Sequence, residues 1–170
     1  MKRMAVLLIL VATGSVLAGG PADRLWWGGG IGLAFGDVDY VAAEPVVGFR
    51  VTDDVSVGLG LIYRYRDDDR FTPSLSTEDY GANLFARYRV APQMFLQAEY
   101  EYLDYEFQFF DGSTARDSYS SLLGGVGYSQ PLSGRASFFT TVLYNFSYDE
   151  DELSPYDEPW VFRAGISVGF

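Results

Sequence analysis

A set of charged side chains falls where an alternating pattern otherwise places small residues. Arg50, Arg64, Arg66, Arg87, Arg89 and Arg163 share that parity with Glu99 and Glu101. Guanidinium and carboxylate groups facing one another inside a folded chain can neutralise each other as buried pairs, or they can line an ion-selective passage. Catalysis finds no comparable support. The chain has no His and no Cys, so the usual general base and thiol nucleophile are both missing. Glu99 and Glu101 could work as carboxylate acid and base in principle, but pairing with Arg already accounts for them. The expectation is a non-enzymatic protein without a cofactor.

The elements that must position these charges are strands. In Val55–Arg66 one parity holds Val55, Val57, Leu59, Leu61, Tyr63 and Tyr65, and the other Ser56, Gly58, Gly60, Ile62, Arg64 and Arg66. A period of two sends the two sets to opposite faces of a strand. Tyr80–Val90 alternates Tyr80, Ala82, Leu84, Ala86 and Tyr88 with Asn83, Phe85, Arg87 and Arg89. Met94–Leu103 sets Met94, Leu96, Ala98, Tyr100 and Tyr102 against Phe95, Gln97, Glu99 and Glu101. Weaker copies of the pattern run through Val47–Val51, through Tyr119–Tyr128 (Leu122, Val126 and Tyr128 outward) and through Ala136–Tyr148 (with Phe146 and Tyr148 outward). Leu25–Gly36 is apolar on one parity and almost entirely glycine on the other, which leaves room for large groups from neighbouring strands. Its Gly28-Gly29-Gly30 run lies inside a strand, with no helix behind it, and so is not a phosphate-binding loop.

About eight strands result. Tight turns near residues 53, 92 and 132 and the chain end at 170 give a repeat of about 39 residues, the length of a strand, a loop and a return strand. The turns alternate with longer acidic connections at Asp37–Ala43, Asp67–Glu78, Phe109–Asp117 and Asp149–Pro159. An even strand count brings both termini to the turn side. Outward rings then sort into two levels. Trp27, Tyr88, Tyr128 and Phe170 lie towards the turns; Tyr63, Tyr65, Tyr80, Tyr100, Tyr102, Tyr144, Phe146 and Trp160 lie towards the loops. Two such belts are expected where a barrel wall crosses both faces of a bilayer. A soluble barrel would reverse the polarity, with apolar residues in its cavity and charges outside. The fold class read from the sequence is all-β: an eight-stranded antiparallel up-and-down transmembrane β-barrel.

The N-terminus reads as a secretory signal peptide over residues 1–18, with Lys2 and Arg3, an apolar run from Met4 to Ala12, and small residues up to Ala18. That run is well short of the roughly 20 residues a spanning helix needs. The barrel domain is then 19–170. Removing Lys2 and Arg3 from the twelve basic residues leaves ten against 23 acids, a net charge of −13. So acidic a chain is a poor nucleic-acid partner.

The last strand, Trp160–Phe170, carries Trp160, Phe162, Ala164, Ile166, Val168 and Phe170 on one face, and Arg163 with small residues on the other. It resembles the C-terminal recognition strand of bacterial outer-membrane β-barrels. The remainder of the chain resembles the small barrels typified by outer membrane protein X and the membrane domain of outer membrane protein A. The resemblance implies location in the bacterial outer membrane with periplasmic termini, contact with outer-membrane lipid and lipopolysaccharide, and a monomer. It also implies recognition by the barrel-assembly machinery through Phe162, Ile166, Val168 and Phe170. Small barrels that modify lipid A rely on a histidine that this chain lacks.

Reflecting Tyr80–Val90 onto Met94–Leu103 about Pro92 puts Phe85 opposite Glu99 and Asn83 opposite Glu101, with Arg87 diagonal to Glu99. The expected lumen network is therefore Arg50, Arg64, Arg87, Arg163, Glu99 and Glu101, with an Arg87–Glu99 pair and Arg64 or Arg163 near Glu101. An eight-stranded barrel is barely wide enough for its own side chains, which favours a closed polar core over a conducting pore. The loop acids, Glu44 among them, read as a solvated surface with no metal expected; the stretch Asp67–Glu78 lacks the glycine and spacing of a calcium loop. The leading expectation is a structural or surface-interaction role for acidic external loops. The alternative is a small porin-like channel for small or apolar solutes.

Overall fold

The computed structural model describes residues 21–34, 38–69, 75–109, 113–149 and 154–169. The proposed signal peptide and Phe170 lie outside them. A short 3-10 turn, Pro21–Arg24, leads into β1 (Leu25–Ala34), β2 (Val38–Arg50), β3 (Val55–Asp68), β4 (Leu75–Ala91), β5 (Met94–Gln108), β6 (Thr114–Ser133), β7 (Ala136–Asn145) and β8 (Trp160–Val168). Each strand pairs antiparallel with the next, and β8 returns to β1, so the sheet closes as an eight-stranded meander barrel. The fold class read from the alternation is the one observed.

The closing seam pairs the glycine-rich β1 with the terminal strand, from Trp27↔Val168 to Leu33↔Phe162. Glycine is needed where the backbones approach most closely. A Cβ on Gly165 would stand 2.2 Å from the Gly29 carbonyl oxygen. Elsewhere inward glycines provide floors for rings: Gly48 lies under Trp26, Gly58 under Phe85 and Gly127 under Phe95. The seam makes a direct test possible. Leu33→Cys combined with Phe162→Cys should crosslink under mild oxidant in the folded state, while Leu33→Cys with Tyr100→Cys, on the far wall, should not.

The outward face is apolar along every strand. Leu59, Leu61, Leu84, Leu96, Leu122, Phe162 and Ile166 are all exposed, Leu61 to 65%. The inward face holds the charges. This is the inverse of a water-soluble barrel, and no folding gain from burying apolar surface in water accounts for that face.

Three of the expected loop boundaries shift. Strand β2 starts at Val38, so most of the expected Asp37–Ala43 loop is ladder, with Ala43 opposite Tyr63. Strands β3 and β4 pair out to Asp68↔Leu75, and β5 and β6 out to Gln108↔Thr114. Acidic residues such as Asp67 and Glu78 thus sit in paired strands, because ladder hydrogen bonds depend on the neighbouring backbone and not on side-chain polarity. In contrast, β7 stops at Asn145. Tyr148, expected to face outward, turns in and packs against the inner cluster, its hydroxyl donating to the Asp157 carbonyl at 2.5 Å.

The interior is layered. Nearest the turns is a collar of rings: Trp26, Phe85, Phe95 and Phe139, all buried. The middle layer is ionic. Towards the loops, Tyr40, Ala42, Ile62, Leu103, Leu123, Leu143, Tyr156 and Val161 form an apolar cluster.

Candidate functional site in the barrel interior

Arg163 is the hub of the ionic layer. It projects inward from β8 between the outward Phe162 and Ala164, as the period of two requires. Its Nε lies 2.9 Å from Glu44 Oε2, its Nη1 2.6 Å from Glu99 Oε1, and its Nη2 2.8 Å from Glu101 Oε2. One guanidinium on the last strand therefore ties β8 to β2 and to β5 across the lumen. Its Nη1 and Nη2 donate to Glu99 and Glu101, as a planar fork with donors in fixed directions allows, while Nε meets Glu44 through charge alone. Glu99 also accepts from Asn83 Nδ2 at 2.9 Å and from Gln97 Nε2 at 2.7 Å. The register on β4 and β5 explains this: Phe85 stands opposite Glu99 and Asn83 opposite Glu101, as the reflection about Pro92 requires.

Arg87 sits one step closer to the turns. The expected direct Arg87–Glu99 pair is replaced by a relay, in which Arg87 Nε donates to Gln97 Oε1 at 2.8 Å and Gln97 donates to Glu99. The register decides this, because Gln97 is directly opposite Arg87 while Glu99 is diagonal and already bound by Arg163. The guanidinium of Arg87 lies 4.8–5.1 Å from the ring centres of Phe85, Phe95, Phe139 and Trp26. Ring faces are electron-rich, so the collar is a favourable surrounding for that cation.

Towards the loops, Arg64 stacks between Tyr40 and Tyr156, at 4.2 and 4.6 Å from their centres. Its Nη2 is 3.9 Å from Glu101 Oε1 and donates to Tyr156 Oη at 2.8 Å. The Tyr156 hydroxyl donates in turn to Glu101. Both Arg64 and Arg163 thus reach Glu101. Farther out, Arg66 Nε meets Asp79 Oδ2 at 2.9 Å, and Thr77 donates to Asp79 at 2.8 Å.

Arg50 is corrected. It is only half-buried, at the turn end, where its Nη2 donates to the Asp23 carbonyl at 2.6 Å. It ties the turn Pro21–Arg24 to β2 and, among the described residues, takes no part in the central network. Glu44 is corrected in the opposite direction: it is no loop acid but a buried member of β2, on the inward parity of Tyr40, Ala42 and Gly48. Pro45 beside it cannot donate to the ladder, and the pairing of β2 with β3 lapses between Ala43 and Val46. That interruption makes the stretch look like a loop in sequence. Sequence reasoning also passed over Asp79, Gln97 and Tyr156. Gln97 already lies on the inward parity of its strand, and Asp79 is reached by extending Tyr80–Val90 by one residue; nothing periodic marks Tyr156.

The buried charges balance among the described residues: Arg64, Arg66, Arg87 and Arg163 against Glu44, Asp79, Glu99 and Glu101. The ionic layer leaves a cavity of about 20 Å³ beside Glu44, Asn83, Thr141 and Arg163, room for about one water molecule. No group of three or more metal-ligating side chains among the described residues is placed to hold an ion. The cation that Glu44, Glu99 and Glu101 surround is Arg163 itself. Of the assembly-strand residues, Phe162 and Ile166 are exposed on the outer wall and Val168 shares their face, half-buried.

No protein-family model matches the chain, and no curated protein matches its sequence. Solved structures do match. The N-terminal β-barrel domain of Pseudomonas aeruginosa OprF superposes with a TM-score of 0.58 at 12% identity, covering 85% of this chain and 96% of that one. The chain has the OprF barrel-domain fold. A designed transmembrane β-barrel aligns over 89% of the chain and 98% of its own length, at 13% identity and a TM-score of 0.42.

Proposed function

We infer that the chain is an integral outer-membrane barrel with periplasmic termini and a structural or surface-interaction role, its lumen closed by the Arg/Glu network. The observation that carries this reading is the inverted polarity of the wall. Large apolar side chains cover the outside while the buried charges lie inside in a balanced layer, and a bilayer is the solvent in which that arrangement is favourable. Outward rings towards the two ends of the strands, Tyr88 and Tyr128 at one level and Tyr65 and Trp160 at the other, support two interfacial belts. The likeness to the OprF barrel domain supports the same reading. The turn end would face the periplasm and the acidic loop end the outside, where lipopolysaccharide and other surfaces are met. The exposed Phe162 and Ile166 on β8 are where the assembly machinery would read the strand.

Expressed with its N-terminal segment, the protein should fractionate with outer membranes and should run faster unboiled than boiled on a detergent gel, as a closed barrel that resists detergent does. A single band, unchanged by boiling, or recovery in the soluble fraction would refute the reading.

A further inference from the structure

The connection between β7 and β8 is acidic, yet Ser154 and Tyr156 within it are 1% and 2% exposed. A tight turn produces this: Ser154 Oγ donates to the Tyr156 carbonyl at 2.9 Å and accepts from the Tyr156 amide at 3.0 Å. The turn aims the tyrosine ring into the barrel mouth. We propose that the loop end of the lumen is a blind binding vestibule for small, neutral, hydroxylated aromatic molecules, occupied in cis by Tyr156.

The walls of the vestibule belong to the strands, and its present occupant does not. Tyr40 of β2 meets the Tyr156 ring edge-on, with centres 6.2 Å apart, and Tyr119 of β6 lies at 6.3 Å. Arg64 of β3 supplies a cation over the ring face and donates to its hydroxyl at 2.8 Å. Glu101 of β5 accepts a hydrogen bond from that hydroxyl. The wall therefore recognises a planar ring and a single hydroxyl that both donates and accepts. Glu101 and the acidic residues around the mouth disfavour an anionic ring such as a benzoate. Beneath the vestibule the ionic layer leaves space for about one water, and the ring collar lies beyond. Withdrawal of Tyr156 thus opens a pocket and not a channel. Tyr148 Oη donates to the Asp157 carbonyl at 2.5 Å and the Asn145 amide donates to the Pro159 carbonyl at 2.7 Å, so the base of the connection stays fixed to the barrel.

The probe is para-cresol, with toluene and para-toluate as controls, on the full barrel refolded in detergent. Fluorotyrosine is incorporated and the Tyr156 fluorine resonance is assigned with Tyr156→Phe. Para-cresol should shift that resonance saturably, and neither control should. Tyr156→Ala, with no internal competitor to displace, should bind para-cresol about tenfold or more tightly than the unaltered chain and should prefer it to toluene. Absence of a saturable shift in the unaltered chain overturns the proposal, and that arm stands even if Tyr156→Ala does not refold. Equal binding of toluene and para-cresol by Tyr156→Ala also overturns it, because the space would then be only an apolar cavity.

Discussion

Arg163→Met should cost the refolded barrel about 3–5 kcal/mol of unfolding free energy, the range found when one partner of a buried ion cluster is removed. Methionine replaces much of the side chain's bulk, so the loss is electrostatic more than steric. Three carboxylates lose a common cation: Glu44 at 2.9 Å, Glu99 at 2.6 Å and Glu101 at 2.8 Å. Glu101 keeps Arg64 and Tyr156, and Glu99 keeps Asn83 and Gln97, so Glu44 is left worst provided for. Adding Glu44→Gln to Arg163→Met should therefore recover part of the loss, because much of the cost is the uncompensated charge. Glu44→Gln alone should be milder than Arg163→Met. Urea unfolding in lipid vesicles measures all three. A loss below about 1 kcal/mol for Arg163→Met would mean that the cluster contributes no more than an exposed surface pair.

Leu61→Arg should be nearly as costly, for the opposite reason. Leu61 lies near the middle of β3 on the outer wall and is 65% exposed. If that wall faces lipid, an arginine there costs about 2–4 kcal/mol at mid-depth and little near the interfaces. Tyr65→Arg, one belt nearer the loops, should accordingly cost much less. If the wall faced water instead, Leu61→Arg would be neutral, as surface substitutions generally are within about 0.5 kcal/mol. Comparing the two positions by unfolding in the same vesicles separates a depth-dependent wall from a uniform one.

Much of the barrel is legible in sequence because strand parity is a local property. Val57, Leu59 and Leu61 announce the outer wall of β3 without reference to any other strand, and Arg64 on the opposite parity announces the lumen. The pairing of Asn83 with Glu101 is likewise legible, since a tight turn at Pro92 fixes the register of β4 on β5. What escapes is contact across the lumen. That Arg163 meets Glu44 and Glu99 depends on closure and on the stagger of the strands around the barrel, to which parity is blind. Glu44 was hidden by Pro45, and Asp79 by the acidic residues preceding it, which look like loop but lie in a paired strand. Tyr156 left no periodic trace because it reaches the lumen through a turn in a connection. Arg50 shows the limit of parity from the other direction: it faces inward, but at a depth where its partner is the Asp23 carbonyl in the turn before β1.

The central claim is that a lipid-facing barrel holds a lumen closed by its own charges, and recording across planar bilayers tests it most directly. Refolded protein inserted into the bilayer should give no discrete, reproducible conductance steps, because the ionic layer, the ring collar and Tyr156 each obstruct the path. Steps of constant size that scale with added protein would contradict a closed lumen and would favour the porin-like alternative.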